Sequence, residues 1–125
     1  MMSIRILSVA LVTAVVLAAC GGGSSGPTSP GQTLVAAMEL IRDGKPEEFK
    51  AMVVADDQMG AGMFSGVYSS GWADEGGLER VEVASEEING DSATVEAAFH
   101  FANGSTENVT YELQQQDGAW KIHLP

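Results

Sequence analysis

The side chains of this chain that could do chemistry are few and scattered. There is one cysteine, Cys20, and there are two histidines, His100 and His123, beside 17 carboxylates. A reactive thiol needs a histidine, a cation or a helix N-terminus to lower its pKa. Cys20 is instead followed by Gly21-Gly22-Gly23, and no histidine is near it in sequence. A metal centre wants at least three converging ligands, yet neither an H-x-H nor an H-x-x-E spacing occurs, so no metal and no cofactor is expected. G-x-S-x-G, P-loop and Cys-His patterns are absent as well. General acid–base work requires an enclosed carboxylate or imidazole. Glu82, Glu96 and Glu112 alternate with apolar neighbours and therefore take the outward side of their segments, as do His100 and His123. Glu107 shares the parity of Val109 and Tyr111 but stands beside a turn, which gives it a rim position. No catalytic residue is therefore assigned, and the chain is not expected to be an enzyme. Asn103-Gly104-Ser105 and Asn108-Val109-Thr110 match the N-glycosylation pattern without any sign of its use.

One set of residues does suggest binding. Met59, Met63, Phe64, Tyr68 and Trp72 cluster within a glycine-rich stretch, and Tyr111 is the best inward polar group of the later strands. Methionine and aromatic rings make adaptable apolar walls for a small ligand. The plainer reading makes the same residues the core of a small domain short of large aliphatics, with the Tyr111 hydroxyl reaching its edge.

These residues are carried by two kinds of element. Leu34, Met38 and Ile41 recur at helical spacing, with Thr33 as the expected N-cap, and Gly44 supplies a C-cap position. Pro46, Glu47 and Glu48 open a second helix whose buried side is Phe49, Met52 and Val53. Over residues 56–72, Asp56 or Asp57 could cap a helix with Met59, Met63, Phe64, Val67 and Tyr68 on one side. Gly60, Gly62 and Gly66 each disfavour that helix by about 1 kcal/mol relative to alanine. The segment is either a loose helix held by packing or a flap, and Trp72 to Gly77 reads as a connection. From Leu78 the period becomes two. Four apolar series follow: Val81 and Val83; Ala93, Val95, Ala97, Phe99 and Phe101; Val109, Tyr111 and Leu113; and Trp120, Ile122 and Leu124. Asn89-Gly90, Asn103-Gly104 and Asp117-Gly118 separate them as turn pairs. Helices followed by a four-stranded antiparallel meander predict an α+β domain, its helices covering the apolar face of the sheet.

With these elements in place, the chain from about Thr33 to Leu124 resembles the NTF2-like superfamily of cone-shaped domains. The likeness rests on Ile41-Arg42-Asp43-Gly44-Lys45-Pro46-Glu47-Glu48-Phe49, on Gly90-Asp91-Ser92-Ala93-Thr94-Val95, and on Gln116-Asp117-Gly118-Ala119-Trp120-Lys121-Ile122. It implies two to three N-terminal helices packed on the meander, and the chain looks like the small lipoprotein domains of unknown function in that group. Typical members have a longer, more regular third helix than the glycine-rich 57–71 stretch. Enzymes on this fold place an acid or base inside the cone, so an enzyme using that cavity is the alternative.

The start of the chain carries an address. Arg5 supplies one positive charge near the start of an apolar run, Ile4–Ala19, whose residues 6–19 are interrupted only by Ser8 and Thr13, which is a short n-region and h-region. Its 16 residues fall short of the roughly 20 that span a bilayer. Leu17-Ala18-Ala19-Cys20 resembles the lipobox of bacterial lipoproteins. That resemblance implies a signal peptide over 1–19, diacylglyceryl transfer to the Cys20 sulfur, cleavage before Cys20 and acylation of the new amino terminus. Gly21 after the lipidated cysteine implies the outer membrane if the envelope is Gram-negative. Residues 20–31, rich in Gly, Ser and Pro, then read as a disordered tether, and 32–125 as the folded domain.

Cleavage would leave five basic residues against 17 acidic ones, a net charge of −12. Such a surface repels nucleic acid and anionic lipid alike. Membrane contact is therefore expected through the Cys20 lipid in the cell envelope. The remaining partners are an envelope protein or a small apolar ligand. A purely structural lipoprotein is a further alternative.

Overall fold

Ser29 sets the first helix. Its side chain accepts a hydrogen bond from the Gln32 backbone N–H at 3.1 Å, and Pro30 follows at the first helical position, where its missing N–H costs nothing. The computed structural model describes residues 29–125. Helix α1 runs Pro30–Arg42, so the expected cap at Thr33 is corrected to one turn earlier. Pro30 and Gly31, expected in the tether, are buried in the first turn. The Gly31 N–H donates to Glu86 Oε1 at 2.6 Å, and a Cβ at Gly31 would come within 3.2 Å of Val83 Cγ2. Residues 1–28, including Cys20 and most of the expected tether, lie outside the described residues.

Leu34, Ala37, Met38 and Ile41 bury the inner face of α1. The helix stops at Asp43, with Gly44 at φ +73°, the left-handed conformation that glycine adopts without strain. Helix α2 is short, Pro46–Lys50, and buries Phe49. The expectation that it continues through Met52 and Val53 is not met. The chain leaves the helix there to pair with the sheet edge. Val54 N–H donates to the Ile122 carbonyl and Ile122 N–H to that of Met52, both at 2.9 Å. Covering an edge strand satisfies backbone groups that would otherwise invite a second chain. A 3₁₀ turn, Ala55–Gly60, leads into helix α3, Ala61–Ala73. Trp72, expected in a connection, occupies the last turn of α3.

The sheet is a meander in the order β1-β2-β3-β4, formed by β1 Leu78–Asn89, β2 Ser92–Phe101, β3 Thr106–Gln116 and β4 Ala119–Ile122. The alternation expected for β2 holds at every position: Ala93, Val95, Ala97, Phe99 and Phe101 are all buried. Tyr111, Leu113, Trp120 and Ile122 complete the inner face. Asp117 and Gly118 both take positive φ in the β3–β4 hairpin, as expected of that pair. Irregularities at Glu79 and Ala84 break the β1–β2 register and bend β1. The far half of β1 exposes Ile88 and brings Glu86 to the first turn of α1. The result is an α+β domain with one core between helices and sheet, joining Leu34, Met38, Phe49, Val95, Phe99 and Leu113.

Candidate functional site

The chemistry-bearing side chains lie where their parity places them. Glu82, Glu96 and Glu112 are exposed on the outer sheet face. Glu82 accepts from His100 Nε2 at 3.0 Å, and that bond, with Arg80 nearby, holds its carboxyl below the ordinary glutamate value. His123 is half-buried, 3.2 Å from Gln114 and 3.7 Å from Asp57. Among the described residues no three His, Cys, Asp or Glu side chains converge as metal ligands.

The six expected pocket residues separate into three groups. Phe64, Tyr68 and Trp72 stand one turn apart on α3 and face inward, at i, i+4 and i+8. They form the middle of a column of six rings. Phe49 stacks on Phe64 at 5.8 Å, Phe64 meets Tyr68 at 4.1 Å, and Tyr68 meets Trp72 at 5.6 Å. Trp72 then meets Phe99 edge-on at 5.6 Å, and Phe99 meets Phe101 at 6.5 Å. Such pairs are each worth about 0.5–1.5 kcal/mol beyond burial, which holds α3 against the cost of its glycines. Met59 and Met63, expected on the same side as Phe64, point outward instead and are 99% and 78% exposed; Val67 is 62% exposed. One residue of helix is a 100° rotation, so packing Phe64, Tyr68 and Trp72 inward turns Met63 and Val67 to solvent. Tyr111 lies behind the column, buried, and donates its hydroxyl proton to Tyr68 Oη at 2.8 Å. Burial first, and this bond second, push its pKa well above the ordinary phenol value, so Tyr111 is a neutral core tyrosine.

Two open clefts flank α3. One, of about 450 Å³, lies between Met63, Phe64, Val67 and Tyr68 on the helix and Leu124 and Pro125 of the C-terminal segment, with Asp56 and Asp57 at its rim. The second, of about 430 Å³, lies between Tyr68, Gly71 and Trp72 and the β2–β3 turn, and includes Phe101, Ser105, Glu75 and Glu107. Val67 and Tyr68 border both. Met59 and Tyr111 line neither cleft. Leu124, Glu75, Phe101 and Ser105 come to the clefts without having been singled out from sequence. Leu124 was legible as the last inward position of its series, whereas Glu75 and Ser105 sit in connections with no periodicity to read.

Glu75 is the best-fixed polar group of the second cleft. Its Oε2 accepts from Ser105 Oγ at 2.7 Å and from Asn103 Nδ2 at 3.1 Å. Ser105 Oγ also lies 2.6 Å from Asn103 Oδ1, which accepts the Ser105 backbone N–H at 2.9 Å; of the two acceptors the carboxylate is the stronger, because a bond to it is charge-assisted. The bonds from Ser105 and then Asn103 hold the Glu75 carboxyl below its ordinary value and keep it ionised. Backbone bonds from Asn103 N–H to the Glu75 carbonyl and from Ala102 N–H to that of Gly77 tie the two connections together.

Comparison with solved structures places this geometry among NTF2-like folds. A candidate NTF2-like transpeptidase from Campylobacter jejuni superposes with a TM-score of 0.65 at 14% identity, over 74% of this chain and 94% of that one. A SEC-C motif-containing protein from Rhodopseudomonas palustris gives 0.61 at 15% identity, over 81% and 80%. A de novo designed NTF2-fold protein gives 0.50 at 18% identity, over 71% and 77%. At these identities the likeness establishes the fold and carries no residue roles. No protein-family profile matches the chain. No curated protein matches it in sequence.

Proposed function

We propose that this chain is a lipid-anchored, non-catalytic binding module of a bacterial cell envelope, and that it binds a small molecule whose apolar body lies along α3. The observation that carries the binding reading is the pair of open, aromatic-walled clefts on either side of one helix, which meet at Val67 and Tyr68 and are continued along the helix by exposed Met63. Exposed large apolar side chains grouped on one face are a usual mark of a contact surface. A non-catalytic role is favoured by the interior. The core between helices and sheet is filled by Leu34, Met38, Phe49, Val95, Phe99 and Leu113, and the strand carboxylates Glu82, Glu96 and Glu112 lie outside it. The anchor rests on Leu17-Ala18-Ala19-Cys20 and the apolar run before it.

Two measurements test this reading. Mass spectrometry of the amino-terminal peptide from native membranes is expected to find Cys20 at the terminus carrying diacylglycerol and a fatty acyl chain. An unmodified Cys20 thiol would overturn the anchor. Trp72 borders the second cleft, so in a Trp120→Phe variant its fluorescence is expected to shift when envelope lipid extract is added. An unchanged spectrum would remove the ligand reading.

A further inference from the structure

We propose that the ligand is an amphiphilic organic cation, its ammonium head seated against Glu75 and Glu107 beside Tyr68 and its apolar body lying on Met63. This deepens the binding reading above and rests on it.

The anionic end of the surface is built rather than diffuse. Glu75 is held through Oε2 alone, which leaves Oε1 without a hydrogen-bond partner among the described residues. Held in place by two hydrogen bonds, that oxygen loses little freedom when a cation takes it, which is what preorganisation supplies. Glu107 is the second carboxylate of the same cleft. Neither carboxylate has an ion-pair partner among the described residues. Between Lys50 and Arg80 there is no Lys, Arg or His, and the β2–β3 turn contributes none. Two like charges bordering one cleft repel, and a bound cation relieves that repulsion.

The walls select in the same direction. Aromatic faces carry negative charge density and attract ammonium groups within about 6 Å of the ring centre. Tyr68, half-buried, offers the accessible ring of this cleft, and Trp72 and Phe101, both buried, reach it with a small part of their surface. An anionic head would meet two carboxylates and no donor cation. A neutral body with no head would leave Glu75 Oε1 covered and unpaired, which costs more than leaving it in water.

The apolar requirement comes from the other end of α3. The two clefts meet at Val67 and Tyr68, and Met63 stands two turns before Gly71. At 1.5 Å per residue that places about 12 Å of apolar helix surface behind the head-group cleft. The exposed residues there are Met63 and Val67, with Leu124 and Pro125 opposite.

The test is a fluorescence titration of the full-length Trp120→Phe protein, in which Trp72 is the sole tryptophan. The probes are octyltrimethylammonium, octyl glucoside with the same tail and a neutral head, and tetramethylammonium with the head alone. Octyltrimethylammonium is expected to bind at least tenfold more tightly than either of the others. Glu75→Gln should weaken the cation about tenfold, the loss of a charge-assisted contact, and leave octyl glucoside unchanged. Glu107→Gln, which breaks no hydrogen bond of the fold, should weaken the cation about threefold, as for an exposed ion pair. Glu96→Gln, on the outer sheet face, should have no effect. Equal binding of the two octyl probes, insensitive to both cleft variants, overturns the cationic head and leaves the apolar reading standing. Equal weakening by Glu75→Gln and Glu96→Gln means diffuse attraction and overturns the site. Binding of neither octyl probe overturns both readings together.

Discussion

Helices α1 and α3 each have 13 residues and contribute to the same core, yet they are held in opposite ways. Helix α1 is capped by Ser29, ended at Gly44 and buries seven of its residues. Its one glycine, Gly31, is demanded by close packing on Glu86 and Val83. Helix α3 has no side-chain cap and buries three residues. A Cβ at Gly62, Gly66 or Gly71 would meet nothing within 4 Å. Propensity disfavours α3, and the aromatic column from Phe49 to Phe101 holds it. The contrast teaches which helix is framework and which is surface: α1 spends its sequence on stability, while α3 leaves its outer face apolar, bare of charge and bordered by clefts.

Core truncation should separate the two helices most sharply. Leu34→Ala in α1 is expected to cost about 2–5 kcal/mol, whereas Met59→Ala beside α3 should fall within about 0.5 kcal/mol of zero. Urea unfolding followed by circular dichroism measures both. A large loss at Met59 would mean that its side chain packs within the fold. Glycine replacement should then give opposite signs. Gly62→Ala and Gly66→Ala are each expected to stabilise by about 0.5–1 kcal/mol, since the new methyl meets open space and the unfolded chain loses freedom. Gly31→Ala should instead destabilise by about 1 kcal/mol, by displacing Glu86 from its hydrogen bond.

How much of this contrast was legible in the sequence differs between its halves. The sheet was readable because one face is buried and the other wet, so Ala93 through Phe101 alternate without a break. Helix α1 was readable from Leu34, Met38 and Ile41. Its start was hidden because Ser29 and Pro30 sit at the end of a Gly/Ser/Pro run whose composition signals a linker. Helix α3 was the hard case. Met59, Met63 and Val67 form one apolar stripe, and Phe64, Tyr68 and Trp72 form the next, 100° away. Periodicity cannot choose between adjacent apolar stripes. Ring size decides, because only the aromatic stripe reaches Phe49 and Phe99. The Glu75–Ser105–Asn103 group has no sequence signal beyond the turn pair Asn103-Gly104, because it joins two connections 30 residues apart.

The smallest expected effect concerns that group. The Glu75 carboxyl titrates below its ordinary value of 4.5 in the folded state. Its bonds to Ser105 and Asn103 therefore add stability above pH 4.5, and that contribution is lost as pH falls through the folded-state value. Between pH 7 and pH 3 the melting temperature of Glu75→Gln should accordingly fall less than that of the parent. Identical acid profiles would show that the bonds do not bias the carboxyl.

Native-state hydrogen exchange tests the division between framework and binding helix most directly. Amides of α1 are expected to exchange with near-global protection, and those of Gly62–Gly71 faster, through local opening. Adding octyltrimethylammonium below its micelle concentration should slow exchange across Gly62–Gly71 and the β2–β3 turn while leaving α1 unchanged. Equal protection of both helices without the probe, or protection gained at α1 and not at α3, would contradict the account.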